Sequence, residues 1–183
     1  MTIYLGMVSC GEVGFGISSA CMNSSEKNSR LAVLLANGFG LGLSPVASGT
    51  VGSLLGVLLV GAMLPLAALP YGLVLQCVVA FALAMLSIPI CGIAEQHYGK
   101  KDDGRIVADE YLTFPICTLG LPWVEHPWIL LLAFVTARIF DIFKPPPAYQ
   151  SQALGGGLGI VADDVIACLY ALGVNHLVVH FVL

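Results

Sequence analysis

Three stretches of this chain, Val51–Leu69, Tyr71–Ala94 and Val165–Leu183, contain no Lys, Arg, Asp or Glu. Each is about as long as the ~20 helical residues that cross a hydrocarbon core of ~30 Å. Pro65, Pro70 and Gly72 mark a turn between the first two. Two shorter apolar runs, Tyr111–Leu121 and Trp128–Phe140, follow, joined by Pro122-Trp123-Val124-Glu125-His126-Pro127. The joint reads as a helical hairpin whose tryptophans sit near the far interface. The expected fold is therefore all-α, a polytopic membrane bundle of about five helices. Composition agrees, because 10% of residues are charged where a soluble domain carries about a quarter.

The charges orient this arrangement. The seven basic residues are Lys27, Arg30, Lys100, Lys101, Arg105, Arg138 and Lys144. Each falls before the first span, between the second and third, or at the inner end of the fourth. Those places share one side of the membrane, and the positive-inside rule makes it the cytoplasm. The carboxylates gather there too. Asp102, Asp103, Asp109 and Glu110 precede the third helix, Asp141 ends the fourth, and Asp163 and Asp164 open the fifth, after a Gly156–Gly159 turn. Glu125 alone is expected on the far side. Acids from separate helices meeting at one cytoplasmic mouth are what a divalent-metal site needs.

Other classes fit poorly. A net charge of −4 and the lack of a basic stripe exclude a nucleic-acid partner. The six cysteines (10, 21, 77, 91, 117, 168) include no C-x-x-C pair and read as small buried hydrophobes. Residues 1–22 lack a basic n-region, so no signal peptide is expected. Residues 1–30 read as a dispensable extension in which Met22 is equally suited to be the start, and 31–183 as the membrane domain.

Four segments carry a family likeness. Gly38-Phe39-Gly40-Leu41-Gly42-Leu43-Ser44-Pro45-Val46-Ala47-Ser48-Gly49-Thr50-Val51-Gly52-Ser53 resembles a glycine-rich G-x-G-L-x-P-x-x-P-G-T-x-G-S segment. Ile106-Val107-Ala108-Asp109-Glu110 resembles I-V-x-D-E, and residues 138–147 resemble R-x-x-D-x-x-K-P-x-P. Gly156-Gly157-Leu158-Gly159-Ile160-Val161-Ala162-Asp163-Asp164 resembles G-G-x-G-I-x-x-D-D. Together, in this order, they resemble the phosphatidylglycerophosphatase A family from about Leu31 to the C-terminus. The resemblance implies a multi-pass enzyme of the bacterial inner membrane whose active site faces the cytoplasm. It hydrolyses phosphatidylglycerophosphate to phosphatidylglycerol and phosphate, and it requires Mg²⁺.

The residue chemistry suits that reaction. Mg²⁺ takes carboxylate, water and phosphate oxygens, and Asp109, Glu110, Asp141, Asp163 and Asp164 are the expected ligands and catalytic groups. Arg138 and Lys144 are natural phosphate partners. Residues 44–53 lead into a helix whose N-terminus favours an anion, with Gly49, Thr50 and Ser53 as further phosphate contacts. Water and an aspartate are both open as the first nucleophile. The chain departs from the family pattern at Ser48, where proline is usual, at Thr113, where a glycine follows the acidic pair, and at Ser151, where an aspartate is common.

Plainer explanations compete at each position. Acids at helix starts favour the macrodipole without any function, although Asp141 at a helix end does not fit that account. Arg138 with Asp141, and Asp141 with Lys144, are i,i+3 ion-pair candidates. Asp102-Asp103-Gly104 reads as a turn, and Gly155–Gly159 as a flexible linker. His176 and His180 have metal-pair spacing but belong to the far side. Glu95, at the end of the second span, is a candidate supporting acid. The rival function is a non-catalytic membrane carrier or ion-binding protein using the same carboxylates. A phosphatidyltransferase is excluded because Asp103-Gly104 is not followed by the expected Ala-Arg and paired aspartates.

Overall fold

The protein, seen in a computed structural model, is described over residues 24–44 and 47–183; the expectations about residues 1–22 lie outside that range. Eight α-helices succeed one another there: α1 (Ser24–Ala36), α2 (Ser48–Ala62), α3 (Leu64–Ala67), α4 (Gly72–Tyr98), α5 (Ala108–Thr113), α6 (Trp128–Phe143), α7 (Ala148–Ser151) and α8 (Gly156–Val182). Short 3-10 turns occupy Leu41–Leu43 and Phe114–Thr118, and the described residues contain no strand. The all-α expectation holds. Of these helices, α4 and α8 are long and apolar enough to cross a membrane, and α2 is a shorter apolar helix.

Large apolar side chains cover the outside of α4 and α6, and small or polar residues are frequent on their inner faces. On α4, Val74, Val78, Phe81 and Met85 are exposed, whereas Gln76, Ala80, Ala84, Ser87, Cys91 and Ala94 are buried. On α6, Leu131, Val135, Ile139 and Ile142 are exposed while Ala133, Thr136 and Ala137 face inward. A water-soluble helix shows the reverse pattern. In lipid, large aliphatic side chains gain nothing by hiding, and small residues let helices approach closely.

The third apolar run departs from the single helix expected of it. Chain direction is carried by the six-residue α5 and then by the 3-10 turn that Pro115 opens, together roughly 19 Å long at 1.5 and 2.0 Å per residue. From Ile106 to Thr118 every residue except the half-buried Glu110 is buried, with α2, α4, α6 and α8 packed around the segment. That enclosure is the physical condition for a broken helix in an apolar bundle, since its freed backbone groups must find partners within the protein. The segment runs from Asp109, which shares a cleft with Asp163 and Asp164 of α8, to Gly120, beside His176 and Leu73.

A second departure concerns α8. Its helix begins at Gly156, so Gly156–Gly159 is neither a turn nor a linker, and Asp163 and Asp164 lie well inside the helix rather than at its start. Glycine is a poor helix former in isolation, but here packing decides. A Cβ on Gly157 would strike the Ile88 carbonyl and stand 2.6 Å from the Gly92 nitrogen of α4. Deeper in the bundle, Thr136 donates to Asn175 Oδ1 (2.8 Å), and Asn175 Nδ2 donates to the Cys117 carbonyl (3.0 Å), joining α6, α8 and the 3-10 turn. Cys91, Cys117 and Cys168 are buried free thiols as expected, Cys77 is exposed, and Cys10 and Cys21 lie outside the described residues.

Candidate active site

The ends of α6 and α5 and the early turns of α2 and α8 converge on one cleft of about 160 Å³. Its walls are Ser48, Asp102, Gly104, Ile106, Asp109, Glu110, Asp141, Lys144, Asp163 and Asp164. All five carboxylates expected as ligands therefore meet. Asp102, read from sequence as part of a turn, joins them with a left-handed backbone (φ 49°).

The acids fall into two groups. Glu110 and Asp141 are tied to Arg138, whose Nη1 lies 3.1 Å from Glu110 Oε2 and 3.0 Å from Asp141 Oδ2. Ser53 donates to the Gly49 carbonyl (3.0 Å) and stands 3.3 Å from Glu110 Oε2, and Arg138 Nη1 reaches its hydroxyl at 3.4 Å. Gly49 lets the Glu110–Arg138 pair lie close against α2, because a Cβ there would meet Glu110 Oε1 and come 2.8 Å from Arg138 Nη2, and both side-chain ends would have to shift. Gly49, Ser53 and Arg138 thus form a bonded wall linking α2, α5 and α6, and Thr50 shares the first turn of α2. The ion pairing of Asp141 with both Arg138 and Lys144 at i,i+3 is present as the plainer account anticipated.

The second group is different. Asp109, Asp163 and Asp164 are buried, and Asp109 Oδ1, Asp163 Oδ1 and Asp164 Oδ2 have no hydrogen-bond partner. An unpaired buried polar atom costs about 1–3 kcal/mol, more when charged, so three beside one another call for a counter-charge. The cleft faces six carboxylates with two cations, Lys144 and Arg138. Among the described residues no three Asp, Glu, His or Cys side chains form a ready-made cage. Mg²⁺ does not demand one, because it keeps several waters and binds through one or two carboxylates and substrate phosphates. Hard carboxylate oxygens on this scale fit that ion.

Lys144 ends α6 in the left-handed region (φ 42°), a conformation costly for a residue with a side chain. From there its ammonium donates to Asp163 and lies 3.7 Å from Asp141. Burial favours the neutral amine, but the hydrogen bond to Asp163 and the charges of Asp163 and Asp141 outweigh it. Its pKa is raised above the ordinary lysine value. The cleft thus holds a permanent cation beside its orphaned carboxylates.

Sequence reasoning missed Gln152, whose Nε2 donates to Asp163 Oδ2 (2.9 Å). Its signal was indirect. Ser151, standing where an aspartate is common, turns back to the Ala148 carbonyl (2.7 Å), and its neighbour makes the contact to the site. Of the other departures, Ser48 lines the cleft and Thr113 packs its hydroxyl against Cys168 Sγ of α8 (3.7 Å). Glu95 lies beside Gly156, at the start of α8. His176 contacts the Leu119 carbonyl (2.9 Å) at the opposite end.

Comparison with known proteins meets this geometry from outside. The family model described as phosphatidylglycerophosphatase A matches residues 34–179. The chain is 33% identical over 148 residues to a phosphatidylglycerophosphatase A of Escherichia coli, covering 80% of this chain and 83% of the relative. It is 38% identical over 140 residues to one of Haemophilus influenzae, covering 76% and 83%. A candidate phosphatidylinositol-3-phosphatase of Bacteroides thetaiotaomicron is 36% identical over 150 residues, covering 80% and 92%. No solved structure matches the chain. The matched span encloses every carboxylate of the cleft, and the chain belongs to the phosphatidylglycerophosphatase A family, and with it to the phosphoric monoester hydrolases.

Proposed function

We propose that this phosphatase removes the terminal phosphate of phosphatidylglycerophosphate in a Mg²⁺-dependent reaction at the cytoplasmic face of the bacterial inner membrane. The observation that carries the reading is the convergence of three orphaned carboxylate oxygens, on Asp109, Asp163 and Asp164, beside the cation Lys144. Two relatives bear the name of that activity, whereas a third is named for a phosphoinositide, a different lipid phosphomonoester.

Asp109, Asp163 and Asp164 would hold the metal. When bound, Mg²⁺ supplies charge neutralisation and Lewis-acid polarisation of the phosphoryl oxygens. Lys144 attracts the phosphomonoester and, through its bond to Asp163, keeps that carboxylate aimed into the cleft. Arg138 holds Glu110 and Asp141 at fixed positions along the wall, so the charge around the phosphate is set before it arrives. Hydrolysis breaks the bond between phosphorus and the glycerol oxygen, water contributes the new oxygen to phosphate, and the leaving oxygen takes up a proton. Buried carboxylates in the cleft are suited to both proton transfers.

Five segments alternate between the two ends of the bundle: α2 with α3, α4, residues 108–121, α6 and α8. A bilayer-crossing role for all five is supported by their exposed aliphatic faces, and the one-sided basic residues support a cytoplasmic cleft. The deciding experiment is phosphate release from phosphatidylglycerophosphate by detergent-purified protein, with Mg²⁺ and with EDTA. Turnover abolished by EDTA and restored by Mg²⁺ is expected. Undiminished turnover in EDTA overturns the metal, and binding of Mg²⁺ without any phosphate release favours the carrier. In cells, an impermeant thiol reagent should label a cysteine placed at position 126 and spare one at 102; the opposite pattern inverts the orientation.

A further inference from the structure

Beside the carboxylate cleft, and sharing Asp102 with it, lies a second pocket of about 300 Å³ lined by Lys101, Asp102, Gln152, Gly159 and Ile160. We propose that this pocket is an anionic subsite that takes the phosphodiester of the same lipid whose terminal phosphate occupies the cleft. The inference rests on the substrate reading above and extends it to a specificity-determining residue, Lys101.

The charge pattern carries it. Arg30, Arg105, Arg138 and Lys144 each face a carboxylate within ion-pair distance. Among the described residues no such partner holds Lys27, Lys100 or Lys101, and of these three it is Lys101 that lines the pocket. Its ammonium donates instead to two neutral carbonyls, Gln152 O at 2.7 Å and Leu154 O at 3.3 Å. A lysine has three N–H donors, so one donor and the whole charge stay available to a ligand. Those carbonyl bonds also place the ammonium, rather than leaving it to sweep the surface.

The two pockets are joined by one residue. Gln152 accepts from Lys101 through its carbonyl and donates to Asp163 through its side chain. A ligand spanning the pair therefore needs two anionic groups a short linker apart. A glycerol phosphorylated at one end and esterified through a phosphodiester at the other has that form. Asp102 stands on the wall common to both pockets, where its carboxylate can accept a hydrogen bond from the linker's hydroxyl. A compact ammonium suits a singly charged diester, which offers one negative charge and needs no two-pronged partner.

The test compares two lipid phosphomonoesters in detergent with Mg²⁺: phosphatidylglycerophosphate, and phosphatidate, which has no phosphodiester. Lys101→Gln keeps a donor for the two carbonyls and removes the charge; Lys101→Arg keeps both. For Lys101→Gln we expect KM for phosphatidylglycerophosphate to rise about tenfold with kcat within about twofold, the signature of lost uniform binding. KM for phosphatidate should not move, and Lys101→Arg should resemble the wild type. An equal rise in KM for both lipids, or no rise in either, overturns the subsite. A fall in kcat on both lipids overturns it as well, by showing that Lys101 acts only by holding Gln152 beneath Asp163. Failure of the underlying substrate reading looks different: the wild type itself would release no phosphate from phosphatidylglycerophosphate, whatever residue stands at 101.

Discussion

Two clusters of buried polar groups sit in the same bundle of small-residue contacts, and they are built on opposite plans. The Thr136–Asn175–Cys117 cluster is closed, each side chain giving its hydrogen bond to the next. The Asp109–Asp163–Asp164 cluster is open, with one oxygen of each carboxylate unpaired although all three residues are buried. Closed polar networks stiffen a bundle and fix which helices meet. An open one stores a cost that only a ligand removes. The difference separates what holds this protein together from what it works with, and it can be attacked from either side.

The largest effect is expected at the open cluster. Asp163→Asn preserves shape but removes charge, and should lower Mg²⁺-dependent phosphate release at least ~100-fold, about 2.7 kcal/mol in barrier. Asp109→Asn and Asp164→Asn should behave similarly. Melting in EDTA should not fall in Asp164→Asn, because one charge is taken from a crowd of like charges. Near-normal turnover in any of the three removes that residue from the site. Metal binding gives the next effect. Saturating Mg²⁺ should stabilise the wild type by up to ~2.7 kcal/mol at a hundredfold excess over Kd, read as a rise in melting temperature. The same addition should leave Asp164→Asn unmoved; equal stabilisation of both places the ion elsewhere.

Gly157→Ala tests whether the α4–α8 contact sets the cluster's position. Its Cβ meets the Ile88 carbonyl, so overpacking should cost ~1–3 kcal/mol and activity should fall along with melting temperature. At the closed cluster, Asn175→Leu should cost about 1–3 kcal/mol by orphaning the Cys117 carbonyl, since the Thr136 hydroxyl can still donate to the Leu132 carbonyl, with kcat at equal folded protein nearly unchanged. A large loss of kcat without loss of stability would erase the distinction between the two clusters. The smallest effect belongs to Glu125→Gln, exposed at the far end, where both stability (within ~0.5 kcal/mol) and turnover should hold.

The sequence reading located α4 and α6 closely, because long apolar runs in a chain with few charges admit little else, but it started α8 after a Gly156–Gly159 segment that belongs to the helix. It also named five of the six acids of the cleft, missing Asp102, which it read as part of a turn. What it could not resolve was their division of labour. Asp141 and Asp163 look alike in the chain, yet one is paired with both Arg138 and Lys144, and the other, bonded to Lys144 through Oδ2, keeps its second oxygen buried without a partner. Arg138 was expected as a phosphate hand and is instead bonded to Glu110, Asp141 and Ser53. Pairing of this kind depends on which helices meet and at what height, and no local pattern carries that. Gln152 escaped notice for the same reason, since an amide on a short helix has no signature until Asp163 lies against it.

Sequence by itself determined that this chain is helical and apolar-faced, that its acids and bases crowd toward one end, and that its motifs resemble those of a phosphatase family. Those properties follow from residue type and spacing, because desolvating a charge is costly wherever it sits in the chain. Only the tertiary structure decided that Gly156–Gly159 is helix, that the third apolar run breaks into α5 and a 3-10 turn, and that one oxygen on each of three buried carboxylates has no partner. Each of these is settled by what the neighbouring helix presents: the Ile88 carbonyl leaves no room at Gly157 for anything larger than hydrogen, four surrounding helices enclose the broken segment, and the available cations reach some acids and not others.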